Sequence, residues 1–332
     1  MYTNEDLKSA IDAKIFTQES VEAFRTHIAQ AQHSPAVDEE NFKLISGFND
    51  IFVVIASILV LLSASWVTYD IHPTLSAAVS ALLSWGLAEF FVKQRKMALP
   101  AIVLLVTFVG SIFLGTTRLF PQMSEEVIML AADVSGIAAF IHWKRFAVPL
   151  TIAAGIATVV VFLVSMLLYF FHDLVDYVHY IIFIIGLMTF AIAMYWDASD
   201  TKRISNNSDV AFWLHLLAAP LIVHPVFSIL GVFDSQSGLA TIFVIVILYL
   251  VLSSISLIID RRAFMVSSLA YVLYAFTTLF KNYGIENNSF AISGVFIGLS
   301  LLLLSGYWSK ARSFLLQFMP QSICDKVPLA HH

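Results

Sequence analysis

The stretch IFVVIASILVLLSASWVTY, residues 51–69, decides the fold. It contains nineteen residues and no charge, and an α-helix of that length spans about 28 Å. A bilayer's hydrocarbon core is about 30 Å thick and has no water to satisfy backbone groups, so a spanning segment forms its hydrogen bonds internally. The stretch therefore predicts a transmembrane helix.

Further stretches nearly free of charge follow this one. They are 71–88, 97–117, 127–143, 146–172, 177–196, 210–233, 235–259, 263–280 and 287–309. The composition agrees, because the chain is 59% hydrophobic and only 12% charged, whereas soluble domains carry about 25% charged residues. We therefore predict an all-α protein, a polytopic transmembrane helix bundle of about ten spans that is solvated by the lipid bilayer.

The positive charges between the spans test this count. They are concentrated in every second loop, at Lys93, Arg95, Lys96, Lys144, Arg145, Lys202, Arg203, Arg261 and Arg262. The intervening loops contain only Arg118 and Lys281. Because cytoplasmic loops are enriched in Lys and Arg, this alternation predicts ten spans with both termini in the cytoplasm.

Three segments make up the predicted domain organisation. Residues 1–48 form a small cytosolic helical hairpin and linker, in which Thr17 is the expected N-cap of the second helix. Residues 49–308 form the ten-span bundle. Residues 309–332 form a cytosolic amphipathic tail. The hairpin is too short to hold a core alone, so we expect it to dock on this protein or on a cytosolic partner.

Three segments also carry a family resemblance. LKSAIDAKIFTQESVEAF, 7–24, resembles the N-terminal hairpin of a large group of uncharacterised bacterial membrane proteins, a domain of unknown function. GFNDIFVVIASILVLLSASW, 47–66, looks like the first span of that group, and AFWLHLLAAPLIVHPVF, 211–227, is similar to a segment of proteobacterial relatives. The resemblance implies a bacterial inner-membrane protein, and it transfers no activity and no functional residues.

Asp133, in LAADVSGIAAF, is the sharpest candidate for a functional residue. Ionisable residues inside spans are costly and usually face the bundle interior, so we predict that Asp133 is buried against other helices. It is either a protonatable or cation-binding group on a transport path or a hydrogen-bonded group that holds helices together. Glu89, near a span end, is instead predicted to pair with Lys93, four residues later.

The seventh predicted span contains His215, Pro220 and His224. Pro220 removes one backbone hydrogen bond and is predicted to kink the helix, and broken helices at mid-membrane hold substrates or ions in transporters. The alternative is a simple bend. The histidines should point to opposite sides about 13 Å apart along the axis, so they cannot share a ligand.

A metal site and an enzyme activity receive less support from the sequence. His172, Asp176 and His179 would line one face of an α-helix, where they could bind a divalent metal, or they are merely polar loop residues. Cys324 is the single cysteine, so an internal disulfide is excluded. The chain lacks the usual nucleophile, phosphate-loop and dinucleotide motifs, so we predict no enzyme activity and no cofactor. The net charge of -5 gives no indication of a nucleic-acid partner.

Gly294 and Gly298 form a GxxxG pattern in the tenth predicted span. Two glycines on one face let another helix approach closely, which predicts contact with a neighbouring span or with a second copy in a homo-oligomer. Together these features predict permease-like transport of a small solute or ion. The alternative is a non-transporting membrane scaffold or sensor that acts through its N-terminal hairpin.

Overall fold

The computed structural model of the chain describes residues 7, 10–21, 23–24, 48–201, 203, 206–230, 239–282, 288–324 and 326–328. These residues form helices and turns, with no strand among them. Near the N-terminus the backbone is helical at 10–12 and 18–21. The hydroxyl of Thr17 accepts a hydrogen bond from the Ser20 backbone N–H at 3.2 Å, which confirms Thr17 as an N-cap. The rest of the predicted hairpin lies outside the described residues.

The longer described helices are numbered here in chain order. They are α1 (Phe48–Tyr69), α2 (Pro73–Ala88), α3 (Ala98–Thr117), α4 (Glu125–Phe146), α5 (Leu150–Phe170), α6 (Val178–Ser199), α7 (Asn206–Ile229), α8 (Leu239–Ile259), α9 (Ala263–Asn282), α10 (Ser289–Gly306), α11 (Trp308–Leu316) and α12 (Gln321–Cys324). A π-helical segment, Glu89–Gln94, continues α2, and a 3-10 helix, His172–Tyr177, precedes α6.

Within the described residues, seven helices are long and apolar enough to cross a membrane. They are α1, α2 with its π-helical segment, α3, α4, α5, α6 with the preceding 3-10 helix, and α7. Helices α10 and α11 pass the same test together, as a pair bent by 70°. The described apolar parts of α8 and α9, Phe243–Ile259 and Ala263–Tyr274, are shorter. The all-α fold is confirmed, and the count of ten spans stays a prediction.

The chain divides into two compact units, and the division falls inside α6. The N-terminal unit is Phe42–Ile185, and the C-terminal unit is Gly186–His332 together with Met1–Asn41. In the N-terminal unit, α3 packs against every one of α1, α2, α4 and α5. In the C-terminal unit, α9 packs against α7, α8 and α10. The sequence predicted one bundle over 49–308.

Local chemistry fixes the start and the end of α4, the helix that carries Asp133. The Ser124 hydroxyl accepts a hydrogen bond from the Val127 backbone N–H at 3.4 Å and caps the helix. The helix dipole is complemented by acidic residues in the first turn and basic residues in the last, namely Glu125, Glu126, Lys144 and Arg145. These end signals place Asp133 at the ninth of 22 helical residues.

Candidate functional site

A buried ionic cluster joins helix ends in the C-terminal unit. Asp197, two residues before the end of α6, is 2% exposed and accepts hydrogen bonds from Arg261 at 2.6 and 3.3 Å. Its carboxylate also lies 3.0 Å from the Nε2 atom of His215, on α7. Arg261, between α8 and α9, further donates to the hydroxyl and carbonyl oxygens of Ser208 at 3.1 and 3.2 Å. One carboxylate and one guanidinium thus connect α6, α7 and the α8–α9 turn.

A second buried carboxylate, Asp260, directly precedes Arg261 in the sequence. Its side chain accepts hydrogen bonds from Arg203 and from the indole N–H of Trp308, both at 2.9 Å. Arg203 also donates to the Asp260 carbonyl at 2.9 Å. Arg312 lies 3.7 Å from the same carboxylate and donates to the backbone carbonyl of Pro328. This half of the cluster therefore connects the α8–α9 turn to α11 and to the tail.

Arg203 is a buried cation of this cluster. It lies between α6 and α7 and is 1% exposed. Burial lowers the pKa of the Arg203 guanidinium to about 10; the nearby cation Arg261 lowers it as well, while Asp260 raises it. A pKa of about 10 still leaves Arg203 charged at neutral pH.

Arg203 and Asp260 also adopt left-handed backbone conformations, with φ of 51° and 57°, which non-glycine residues adopt at a cost.

The two predicted histidines of α7 have different partners. His215 is fully buried against Asp197, and its other ring nitrogen, Nδ1, makes no hydrogen bond among the described residues. His224 is exposed, and its Nδ1 atom lies 2.8 Å from the hydroxyl of Tyr271 on α9. The two side chains therefore do not share a ligand, as their spacing predicts. Pro220 is exposed within α7, which continues without a break past it.

A second proline of α7 marks a close approach between two helices. Pro225 has no N–H, so the carbonyl of Leu221 lacks its usual helical donor. Gly186, on α6, faces that carbonyl. A Cβ atom at position 186 would lie 2.8 Å from the Leu221 carbonyl carbon and 2.9 Å from its oxygen. Glycine is therefore required where α6 meets α7, eleven residues before Asp197.

The prediction that Asp133 is buried was wrong, because its side chain is exposed. Small residues near Asp133 are buried instead, where α4 packs against the rest of the N-terminal unit. Ala131, Ala132 and Ser135 are almost fully buried. A carboxylate is the more costly group to desolvate, so small residues occupy the contact. Asp133 lies at the surface of a cavity between α4 and α5. Its assignment to a transport path stays a hypothesis.

The predicted metal site does not form. No group of three or more His, Cys, Asp or Glu side chains is placed to hold a metal ion in the part of the chain that the structure describes. His172 begins a 3-10 helix that includes Asp176. Three residues per turn move Asp176 away from the line through His172 that α-helical spacing predicts. The alignment of these two residues with His179 is therefore lost.

Gly294 and Gly298 also differ from the expectation of packing within the chain. A Cβ atom added at either position would meet no atom within 4 Å among the described residues. The predicted contact with a neighbouring span is therefore wrong for these two glycines. Contact with a second copy stays a prediction.

One ion pair of the N-terminal unit lies near the surface. Glu89 opens the π-helical segment, and its carboxylate accepts two hydrogen bonds from Arg145 of α4, at 2.7 and 2.8 Å. The side chains are 31% and 47% exposed, respectively. The partner predicted from sequence was Lys93. The wider turn of a π-helix moves the residue four positions on out of line with Glu89.

No known protein family, curated protein or solved structure matches this chain. The candidate site therefore has to be interpreted from its own chemistry. Sequence reasoning missed the charged members of the cluster because each looks like an ordinary charge at a span end. The available signal was that acidic residues accompany the basic ones in two alternate loops, at Asp197, Lys202 and Arg203 and at Asp260, Arg261 and Arg262.

Proposed function

We propose that this chain is a ten-span protein of the bacterial inner membrane, with both termini in the cytoplasm, and that it transports a small solute or ion. Helices apolar enough to span a membrane support the membrane location. The alternating loop charges support the orientation. The resemblance of residues 7–24 to bacterial membrane proteins supports the origin.

The observation that supports transport is the burial of Asp197, His215 and Arg261 among apolar helices. Removing charges from water costs several kcal/mol per ion, and an apolar cluster of similar volume is often no less stable. Stability alone therefore does not account for an ionised cluster at this place. Ionisable groups in spans mark ion and proton pathways, and His215 is nine residues into α7, about 13 Å along its axis.

His215 supplies the chemistry for coupling to protons. In the neutral tautomer that donates from Nε2 to Asp197, the Nδ1 atom carries a lone pair with no hydrogen-bond donor among the described residues. A proton taken up at Nδ1 makes the ring cationic beside a carboxylate that Arg261 already occupies. Two cations then share one carboxylate. The contact between α6, α7 and the α8–α9 turn therefore has two states that differ in charge. We propose that transport uses these two states.

The test is proton flux in proteoliposomes. Purified protein is reconstituted with an internal pH dye, a potassium potential is imposed with valinomycin, and acetate, glycine, ammonium and sodium are supplied in turn. We expect a flux above that of protein-free vesicles, which His215→Gln lowers about tenfold or more. The matched control is His224→Gln, on the same helix, which should retain most of the flux. Absence of flux under every condition would refute transport.

The topology has its own test. In a Cys324→Ser background, single cysteines at Ser235 and Asn287, which lie outside the described residues, should react with an impermeant reagent added outside. Cysteines at Ser199 and Ser309 should not react until the membrane is opened. Reversal of either pair would contradict the ten-span orientation.

The alternative function is a membrane scaffold or sensor acting through residues 1–48. One observation favours it: both oxygens of the Asp197 and Asp260 side chains accept hydrogen bonds, as in a structural clamp. Under this alternative, His215→Gln lowers stability and leaves no transport to measure. The flux experiment above therefore distinguishes the two functions.

A further inference from the structure

A cavity of about 470 Å³ lies between α4 and α5 in the N-terminal unit. That volume is in the range of small-molecule binding sites, about 300–1,000 Å³. The aromatic side chains of Phe140, Trp143 and Phe162 line it together with small and aliphatic residues. Asp133 is the single charged residue among those that line it. The cavity is therefore an apolar site with one fixed negative charge.

The position of Asp133 along α4 narrows the choice of ligand. Eight residues separate it from the start of the helix at Glu125, which corresponds to about 12 Å, near the middle of a hydrocarbon core. The amine of a phospholipid headgroup lies at the membrane surface and cannot reach that depth. An exposed ionised carboxylate facing hydrocarbon is costly unless a cation accompanies it.

The lining also argues against a metal ion held by protein ligands. Hard cations need six or more oxygen ligands, whereas the oxygen-bearing side chains here are Asp133 and the threonines Thr151 and Thr158. Thr158 donates its hydroxyl to the Gly155 carbonyl at 2.7 Å. Aromatic rings attract organic cations through their faces. The chemistry that fits is a single positive charge on an apolar body.

We propose that this cavity binds a small amphipathic organic cation, with the cationic centre beside Asp133 and the apolar body against the aromatic wall. The site lies wholly within the N-terminal unit and goes beyond the proposed function, because binding there does not require His215 or Asp197.

The test is equilibrium binding of tetraphenylphosphonium to the purified full chain in detergent, without any gradient. We expect saturable binding that Asp133→Asn weakens about tenfold or more, since the substitution keeps the shape and removes the charge. The matched control is Asp176→Asn, which removes an exposed carboxylate elsewhere in the same unit. The neutral analogue triphenylphosphine oxide should compete poorly.

A second pair of variants tests the place of binding. A Cβ atom at Gly155 meets nothing within 4 Å, so Gly155→Leu should fill the cavity and abolish binding. Gly110 is equally open and lies outside the cavity, so Gly110→Leu should bind like wild type.

Three results would overturn the inference: no binding by wild type, equal binding by Asp133→Asn, or competition by the neutral analogue as strong as that by the cation. Binding that follows this pattern in a protein with no proton flux would uphold the inference and refute transport. Flux that depends on His215 in a protein that does not bind the cation would uphold transport and refute the inference.

Discussion

In the C-terminal unit the carboxylates of Asp197 and Asp260 are buried among arginines, whereas in the N-terminal unit those of Asp133 and Glu89 reach the surface. Asp197 is 2% exposed and Asp260 is 8% exposed. Glu89 is partly exposed beside Arg145, and Asp133 is exposed at the edge of a cavity. These two pairs of carboxylates therefore occupy opposite environments.

The difference shows where a change in charge should affect folding and where it should affect binding. A buried ion pair contributes little net stability, but removal of one partner leaves an uncompensated charge. Removal of an exposed carboxylate leaves no buried charge uncompensated, so the fold stays largely unchanged. We expect the C-terminal cluster to be sensitive to single substitutions, and Asp133 and Glu89 to be tolerant.

The largest effect is expected for Asp197→Ala. Arg261 then stays buried without its carboxylate, and the free energy of unfolding should fall by about 3–5 kcal/mol. The measurement is unfolding in mixed micelles of increasing dodecyl sulfate content, followed by tryptophan fluorescence. Asp133→Ala is the matched control in the other unit, and it should change this free energy by less than about 1 kcal/mol. Equal losses for both variants would remove the contrast between the units.

An intermediate effect is expected at the close approach of α6 and α7. Gly186→Ala places a Cβ atom 2.8 Å from the Leu221 backbone, so the helices must separate, at a cost of about 1–3 kcal/mol. The same unfolding titration measures it. Gly298→Ala adds the same atom in open space and should not lower the free energy of unfolding. A stable Gly186→Ala variant would contradict the contact between these helices.

The smallest effect is expected for Glu89→Gln. The Glu89–Arg145 pair is exposed to solvent, and exposed pairs add little to stability. Its unfolding curve should therefore coincide with that of wild type within error. A loss comparable to that of Gly186→Ala would show that the π-helical segment depends on this pair.

The sequence predicts the elements of this fold better than their contacts. Uncharged runs predict where helices lie, because the membrane permits few alternatives for a backbone without water. Local signals also predict where helices begin, as at Thr17, which caps the N-terminus of its helix. The π-helical segment after α2 was not predicted, since it depends on packing rather than on residue type.

Contacts could not be predicted because they depend on which face each helix buries. Gly294 and Gly298 have the favourable spacing and make no close contact within the described chain, while the lone Gly186 makes one. Asp133 looked like the buried carboxylate, and Asp197 looked like a loop charge. Only the arrangement of α6, α7 and the α8–α9 turn brings Asp197, His215 and Arg261 together.

We propose that the buried charges of the C-terminal unit serve transport rather than stability. The double variant Asp197→Leu with Arg261→Met tests it most directly, because it removes both charges and leaves neither uncompensated. We expect its free energy of unfolding to stay within about 1 kcal/mol of wild type. In the proteoliposome assay its proton flux should fall to the level of His215→Gln. A stable double variant that transports at the wild-type rate would contradict the claim.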